Sequence, residues 1–310
     1  MRIALAPAQL PATLPTKLLG IQEPAGTRGR NLDHWELGRH ANAITDGEVV
    51  TVGAFDRHDP SGRYAFAGGI GSAWRGVEIL IETQEQGRQS AAVLDTIRGY
   101  IDSLTSGEQR LLNQVEVLAR ACPQDEMWRR RYGIPDYYVR ALTGGGRTQF
   151  WRGNTRTLRV FHHEQAHVLD FAGNVNRRAW ALAMDSDGRI VDELRSRGWK
   201  LTDLPVDQFD FDRDHLRLQS GGITGYAEFA RANGNTNTED IAEAIAWRKL
   251  GQRVGVIARG TSPDGTVRDF RFEDLFPART ALVDAAVRSV NSGGSASTTG
   301  DHSAVLLPAR

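Results

Sequence analysis

The chain has 310 residues, of which 40% are hydrophobic and 25% charged, a balance typical of a globular protein. Its 38 basic and 38 acidic residues give a formal net charge of zero, so composition offers no reason to expect a nucleic acid or an anionic membrane as partner. No run reaches the roughly 18 apolar residues that a membrane-spanning helix requires. Cys122 is the only cysteine, which excludes an internal disulfide and a cysteine-based zinc cluster.

Residues 1–30 are rich in proline, glycine and alanine, which predicts an irregular lead-in. Pro7, Pro11 and Pro15 interrupt the apolar stretch that a Sec signal peptide would need. We therefore expect no Sec signal, and either a cytoplasmic location or secretion by a route that needs no cleaved signal.

The next segments predict a mixture of short strands and longer helices. β-rich runs predict strands at 49–52 and 157–161. Apolar residues three or four positions apart predict helices over three segments, 88–120, 238–250 and 278–290. Within the first segment, Ser106 is predicted to be a helix N-cap. Short strands followed mainly by helices indicate an α+β fold.

These elements suggest a division of the chain beyond the lead-in. Residues 31–140 form a smaller α/β N-terminal region that contains no motif to assign its role. Residues 141–290 form a C-terminal domain that is mostly helical with a small sheet. The serine-, glycine- and threonine-rich residues 291–310 predict a disordered tail.

The segment His163-Glu164-Gln165-Ala166-His167 matches the pattern HExxH. On a helix, residues four apart stand on one face, so both imidazoles can reach a single Zn²⁺. Glu164 lies beside them, where its carboxylate can take a proton from water. With 8 histidines in 310 residues, a chance match has a probability of roughly one per cent. The motif predicts zinc ligands at His163 and His167 and a general base at Glu164.

A catalytic zinc needs a third protein ligand and leaves one position for water. The short-spaced patterns HExxHxxGxxH and HExxHxxGxxD are excluded, because Asp170 replaces their glycine and Gly173 replaces their ligand. Glu239 and Glu243 are better candidates, four apart on a predicted helix among apolar residues. Buried carboxylates are costly unless something positive meets them. A metal ion beside one of these two carboxylates and the N–H of a zinc-bound histidine beside the other would satisfy both carboxylates.

These residues resemble a known group of zincins. HEQAHVLD at 163–170 resembles the HExxHxxD pattern of zincins related to the anthrax lethal factor catalytic domain and the Mlc titration factor peptidase. EDIAEA at 239–244 is similar to the E-x-x-A-E-A segment of lethal factor. The resemblance covers residues 161–250 and implies a zincin-like metallopeptidase domain over 141–290.

In that group the first glutamate binds zinc and the second lies behind the metal, which implies these roles for Glu239 and Glu243. A tyrosine upstream stabilises the oxyanion, and Gly225-Tyr226-Ala227 resembles that element, although Tyr226 precedes Glu239 by more residues than in lethal factor. The interval from His167 to Glu239 is also longer. Tyr226 is therefore either this catalytic tyrosine or an ordinary packed aromatic. Asp170 is either a second-shell acid that orients His167 or a carboxylate on the helix surface.

Together these features predict a zinc-dependent metalloendopeptidase, with Zn²⁺ as cofactor and proteins or peptides as substrates. The lethal factor resemblance implies an exported effector or toxin, which would need a secretion or delivery partner. The titration factor resemblance implies a cytosolic regulatory peptidase instead. A rival from another class is a non-catalytic, zinc-binding regulatory protein. Glu164 argues against that rival, because a protein that only binds metal has no use for a general base.

Overall fold

The structure, a computed structural model, describes residues 20–22, 32–33, 45–59, 62–82, 87–144, 146–153, 155, 157–204, 215–218, 223–235 and 237–293. These residues form two compact units, one up to Thr155 and the other over 157–293. From the sequence, the second domain was predicted to begin at residue 141, after a smaller first region. In the structure, Ala141–Gly144 and Arg147–Phe150 are strands in the sheet of the first unit.

The first unit contains ten strands and three helices among its described residues. The strands are β1 (Gly20–Gln22), β2 (Leu32–Asp33), β3 (Val49–Val52), β4 (Phe55–Asp59), β5 (Gly62–Phe66), β6 (Gly69–Trp74), β7 (Val77–Glu82), β8 (Gln114–Val117), β9 (Ala141–Gly144) and β10 (Arg147–Phe150). The helices are α1 (Gly87–Asp102), α2 (Ser106–Gln109) and α3 (Asp125–Tyr132).

Eight of these strands form one sheet in the order β2-β1-β3-β6-β7-β8-β10-β9. β8 pairs in parallel with both β7 and β10, and the other pairs are antiparallel. β4 and β5 form a separate hairpin. The strand predicted at 49–52 is confirmed as β3, and the lead-in predicted to be irregular contains β1.

The helix predicted over 88–120 is wrong in its second half. α1 ends at Asp102, and the chain re-enters the sheet as β8. All four residues of β8 are buried. Because buried and exposed residues do not alternate along β8, the two-residue period that identifies a half-exposed strand is absent. The capping box also lies one residue earlier than predicted, with Thr105 as N-cap and Glu108 as its partner.

The second unit contains six helices and three strands among its described residues. The helices are α4 (Leu158–Gly173), α5 (Arg177–Ser196), α6 (Gly225–Ala232), α7 (Thr238–Val254), α8 (Phe272–Leu275) and α9 (Pro277–Asn291). β11 (Lys200–Asp203), β12 (Ala258–Thr261) and β13 (Val267–Phe270) form an antiparallel sheet. The α+β class and the helices predicted at 238–250 and 278–290 are confirmed. The predicted tail lies outside the described residues from 294 onward.

The strand predicted at 157–161 is wrong, because these residues form the first turn of α4. The hydroxyl of Thr157 accepts a hydrogen bond from the backbone N–H of Val160 and caps the helix. The segment 157–161 contains the buried apolar residues Leu158, Val160 and Phe161. A short apolar segment of this kind is typical of a buried strand, although here it belongs to a helix. This correction adds one turn to α4 before His163.

A buried carboxylate joins four parts of the second unit. Asp240, in the first turn of α7, accepts hydrogen bonds from Trp180 Nε1 at 2.9 Å, Ile223 N at 3.2 Å and Arg279 Nε at 3.1 Å. Trp180 lies on α5, Arg279 lies on α9, and Ile223 precedes α6. Asp240 thus fixes the start of α7 against the segment that leads into α6.

Within the part of the chain that the structure describes, no helix combines the length and the apolar character needed to cross a membrane.

Candidate metal centre

Helices α4 and α7 lie side by side in the second unit and run in opposite directions. Arg159 on α4 contacts Glu243 on α7, whereas His167, two turns further along α4, approaches Glu239, one turn earlier on α7. His163 lies between them and approaches both glutamates. Because residues four apart share one helix face, two short polar stripes oppose each other between the two helices.

Three potential ligand atoms converge where these stripes meet. Nε2 of His163 lies 3.1 Å from Oε2 of Glu239, and Nε2 of His167 lies 3.6 Å from the same oxygen. The two Nε2 atoms are 3.2 Å apart. A tetrahedral Zn²⁺ with bonds of about 2.0–2.1 Å separates its ligand atoms by about 3.3–3.4 Å. The three side chains are therefore arranged so that they could hold one metal ion.

The two oxygens of Glu239 have different surroundings. Oε1 lies 3.5 Å from the Asn235 amide nitrogen, which donates to it. Oε2 is buried and has no well-aligned hydrogen-bond donor within the described residues. A buried carboxylate is costly unless a positive charge faces it, and either a proton on the adjacent imidazole or a divalent cation would supply that charge. Two imidazoles and one carboxylate are also a donor set of catalytic zinc sites, in which a fourth position stays open. The residues present fit such an ion.

The two imidazoles differ in their electrostatics. Burial lowers the pKa of His163, but its interactions with Glu239 and Glu243 outweigh burial and raise the pKa to about 10. Burial also lowers the pKa of His167, and the neighbouring carboxylates only partly offset this effect. The site therefore favours one positive charge at His163, which either a proton or a metal ion at the same place can supply.

Glu243 lies behind His163, on the side away from Glu239. Its Oε1 is 2.6 Å from Nδ1 of His163, and Nη1 of Arg159 donates to both of its oxygens at 2.8 and 2.9 Å. Burial raises the pKa of this carboxyl, but the Arg159 charge, with help from His163 and a hydrogen bond with Thr224, lowers the pKa to about 2. Glu243 is therefore an ionised carboxylate held between a guanidinium and an imidazole.

The two residues expected to act on a substrate lie on α4 and α6. Glu164 directly follows His163 and is buried. Tyr226 is the second residue of α6, and its ring lies edge to face with the His163 ring, with centroids 5.7 Å apart. Thr224 caps α6 and also hydrogen-bonds with Glu243, which ties the start of this helix to the candidate site. The structure thus brings Tyr226 beside His163 despite its unusual distance from Glu239 in sequence.

Asp170, for which the sequence left two roles open, forms an ion pair with Arg177. Its two oxygens accept hydrogen bonds from Arg177 at 2.8 and 2.7 Å, at the junction of α4 and α5. It is buried and not on the helix surface. Its charge still raises the pKa of His167, so its influence on that imidazole is electrostatic and not a hydrogen bond within the described residues.

Three residues that contact the candidate ligands or their support were not predicted from the sequence. These are Arg159 and Thr224, which contact Glu243, and Asn235, which contacts Glu239. A signal for Arg159 was present, because Arg159, His163 and His167 are spaced four apart. If Thr157 is recognised as an N-cap, Arg159, His163 and His167 fall on one face of a single helix.

Comparison with known proteins found no family model that matches this chain and no curated protein with significant similarity to it. A functional assignment therefore depends on the chemistry of the chain's own residues. The observation to be explained is the convergence of two imidazoles and one carboxylate on a helix that also carries a glutamate directly after the first histidine.

Proposed function

We propose that this chain is a zinc-dependent metallopeptidase whose zinc ligands are His163, His167 and Glu239. The observation that supports this most is the mutual separation of their three ligand atoms, 3.1, 3.2 and 3.6 Å, within an HExxH helix packed against a second acidic helix. These separations match the edges of a tetrahedral zinc site, and Oε2 of Glu239 lacks another aligned partner within the described residues.

The roles of the remaining residues follow from their chemistry. When bound, Zn²⁺ supplies Lewis-acid chemistry that lowers the pKa of a water and polarises a scissile carbonyl. Glu164 accepts the proton of the attacking water and passes it to the leaving amine. The Tyr226 hydroxyl donates a hydrogen bond to the oxyanion that develops on the substrate. The Glu243 carboxylate lies 2.6 Å from His163 Nδ1 and holds that imidazole in place.

Proteins or peptides are the proposed substrates, because this combination of metal, base and oxyanion donor suits amide hydrolysis. Two alternative biological settings fit this activity. In one the chain is an exported effector or toxin that needs a secretion or delivery partner. In the other it is a cytosolic regulatory peptidase.

A non-catalytic zinc-binding regulator is the competing class. Glu164 separates the two, since a carboxylate beside the first histidine serves hydrolysis and not metal retention. The purified protein and Glu164→Gln would be compared for bound zinc and for cleavage of a peptide library. We expect about one zinc per chain in both proteins and loss of cleavage in the variant by a factor of at least about 100.

Zinc binding without cleavage by the wild-type chain would favour the regulator. Equal cleavage by both proteins would refute the proposed mechanism. Glu193→Gln is a matched control, because Glu193 lies on the exposed side of the neighbouring helix α5.

A further inference from the structure

Arg159 is a buried cation that contacts a carboxylate behind the candidate metal site. Its side chain is 4% exposed, and Nη1 donates to both oxygens of Glu243 at 2.8 and 2.9 Å. Removing a guanidinium from water is costly, and a buried pair with one missing partner is more costly still. Arg159 in α4 and Glu243 in α7 therefore each compensate the buried charge of the other.

Glu243 carries this constraint to His163. Its Oε1 lies 2.6 Å from Nδ1 of His163, and Nδ1 has no alternative acceptor among the described residues. The contact is short but not well aligned, so a small shift of the carboxylate would change it. A carboxylate beside Nδ1 keeps the hydrogen on that nitrogen, so Nε2 is the nitrogen whose proton a metal ion can displace. Nε2 is the atom that faces Glu239 and His167.

The helical spacing makes this arrangement specific. Arg159 precedes His163 by one turn on α4, and Glu243 follows Glu239 by one turn on α7. A single carboxylate is thus in contact with both a cation and an imidazole on the facing helix. If Glu243 swung away from Arg159, its contact with Nδ1 would change in the same movement.

We propose that Arg159 is a positioning residue that sets the zinc affinity of the site by holding Glu243 against Nδ1 of His163. This inference rests on the proposed function, because it concerns the same metal. It assigns Arg159 a role through Glu243 alone, without contact with substrate or metal. It therefore predicts that the effect of Arg159 on zinc disappears once Glu243 can no longer act as a carboxylate.

The test is a double-mutant cycle on zinc affinity in the full chain. The Kd for Zn²⁺ would be measured by competition with a chromophoric chelator for wild type, Arg159→Met, Glu243→Gln and the double variant. The absorption spectrum of bound Co²⁺ would report the geometry of the ligands. Arg248→Met is the matched control, since Arg248 lies on α7 and pairs with Glu273 and Asp284 away from the ligands.

We expect Arg159→Met to weaken zinc binding about 10- to 100-fold, the usual effect of a partner behind a metal ligand. In the Glu243→Gln background the same substitution should change the Kd by no more than about twofold. Arg159→Lys should recover part of the affinity, because one nitrogen makes both contacts in the wild type. Arg248→Met should bind zinc as the wild type does.

Equal effects of Arg159→Met in both backgrounds, or none in the wild-type background, would overturn the inference and leave the proposed function intact. A wild-type chain without zinc affinity would overturn the proposed function and this inference together. If Arg159→Met alone does not fold, the zinc affinities of Glu243→Gln and of the double variant Arg159→Met/Glu243→Gln are compared instead. A Kd that differs between those two by more than about twofold contradicts a role through Glu243.

Discussion

Nη1 of Arg159 donates to both carboxylate oxygens of Glu243 across 84 positions of the chain. The same two helices carry His163, His167 and Glu239, whose ligand atoms converge one turn away. One helix interface therefore contains the candidate metal ligands and the groups that support them. Its register is decisive, because a shift of one turn would pair Arg159 with the wrong carboxylate.

Glu239→Ala tests the third ligand. We expect zinc affinity to fall by more than about 100-fold, beyond the effect of changing a group behind a ligand, because the variant retains only two ligands. Metal analysis after dialysis against a weak chelator measures this. Glu193→Ala, an exposed carboxylate on α5, should retain zinc. Full retention by Glu239→Ala would place the third ligand elsewhere, with Glu243 the next candidate.

Tyr226→Phe tests the oxyanion donor. The variant keeps the ring that packs against His163, with centroids 5.7 Å apart in the wild type, and loses only the hydroxyl. We expect kcat for peptide cleavage to fall about 100- to 1,000-fold, as for loss of one oxyanion donor, while KM and zinc content stay unchanged. Steady-state kinetics on one peptide substrate separate the two parameters. An unchanged kcat would make Tyr226 a packed aromatic without a catalytic role.

Zinc binding should depend on pH through His163. Glu239 and Glu243 overcome burial and raise the pKa of this imidazole to about 10, so below that pH a proton occupies the group that the metal needs. Zinc must displace this proton, and its affinity should therefore rise with pH by about tenfold per unit between about pH 6 and about pH 8. Calorimetry in buffers of different ionisation enthalpy counts the protons released. A pH-independent Kd without proton release would contradict the prediction.

Asp240→Asn should destabilise the second unit. The carboxylate accepts from Trp180, Ile223 and Arg279, and the variant removes this charged acceptor from the wholly buried Arg279, whose Nη1 also lies 3.7 Å from Oδ2 of Asp187. We expect a loss of about 3 kcal/mol in the free energy of unfolding, the usual cost of removing one partner of a buried ion pair. Urea unfolding followed by tryptophan fluorescence measures it.

The double variant Asp240→Asn/Arg279→Met serves as the control for this prediction. It should recover part of the lost stability, because it also removes the buried guanidinium that has lost one of its carboxylate acceptors. A single variant within about 0.5 kcal/mol of wild type would show that Asp240 is not a structural centre of this unit.

Several features of the candidate site could be predicted because they are local. An i, i+4 spacing on a helix places His163 beside His167 and Glu239 beside Glu243 whatever the rest of the chain does. Two acids within an apolar helical segment likewise indicated that something positive must face them. In the structure, Arg159 and His163 face Glu243, and His163 also faces Glu239. The α+β class followed from the order of the elements in the same way.

Other features depended on contacts between distant residues. The buried run at 157–161 has no period that separates a strand from a helix, so Arg159 was assigned to the wrong element. The sequence left Asp170 either as an acid that orients His167 or as a surface carboxylate, and did not indicate that Arg177 in the next helix contacts both of its oxygens. The position of Tyr226 beside His163 depends on the turn between α6 and α7, which spacing alone does not predict.

The sequence by itself determined which chemical groups share a helix face, because backbone geometry sets that within one or two turns. Only the tertiary structure decided which faces meet, because the packing of α4 against α7 results from the burial of many side chains far apart in the chain. His163 was therefore predictable as a ligand candidate, whereas the partnership of Arg159 with Glu243 required the folded chain.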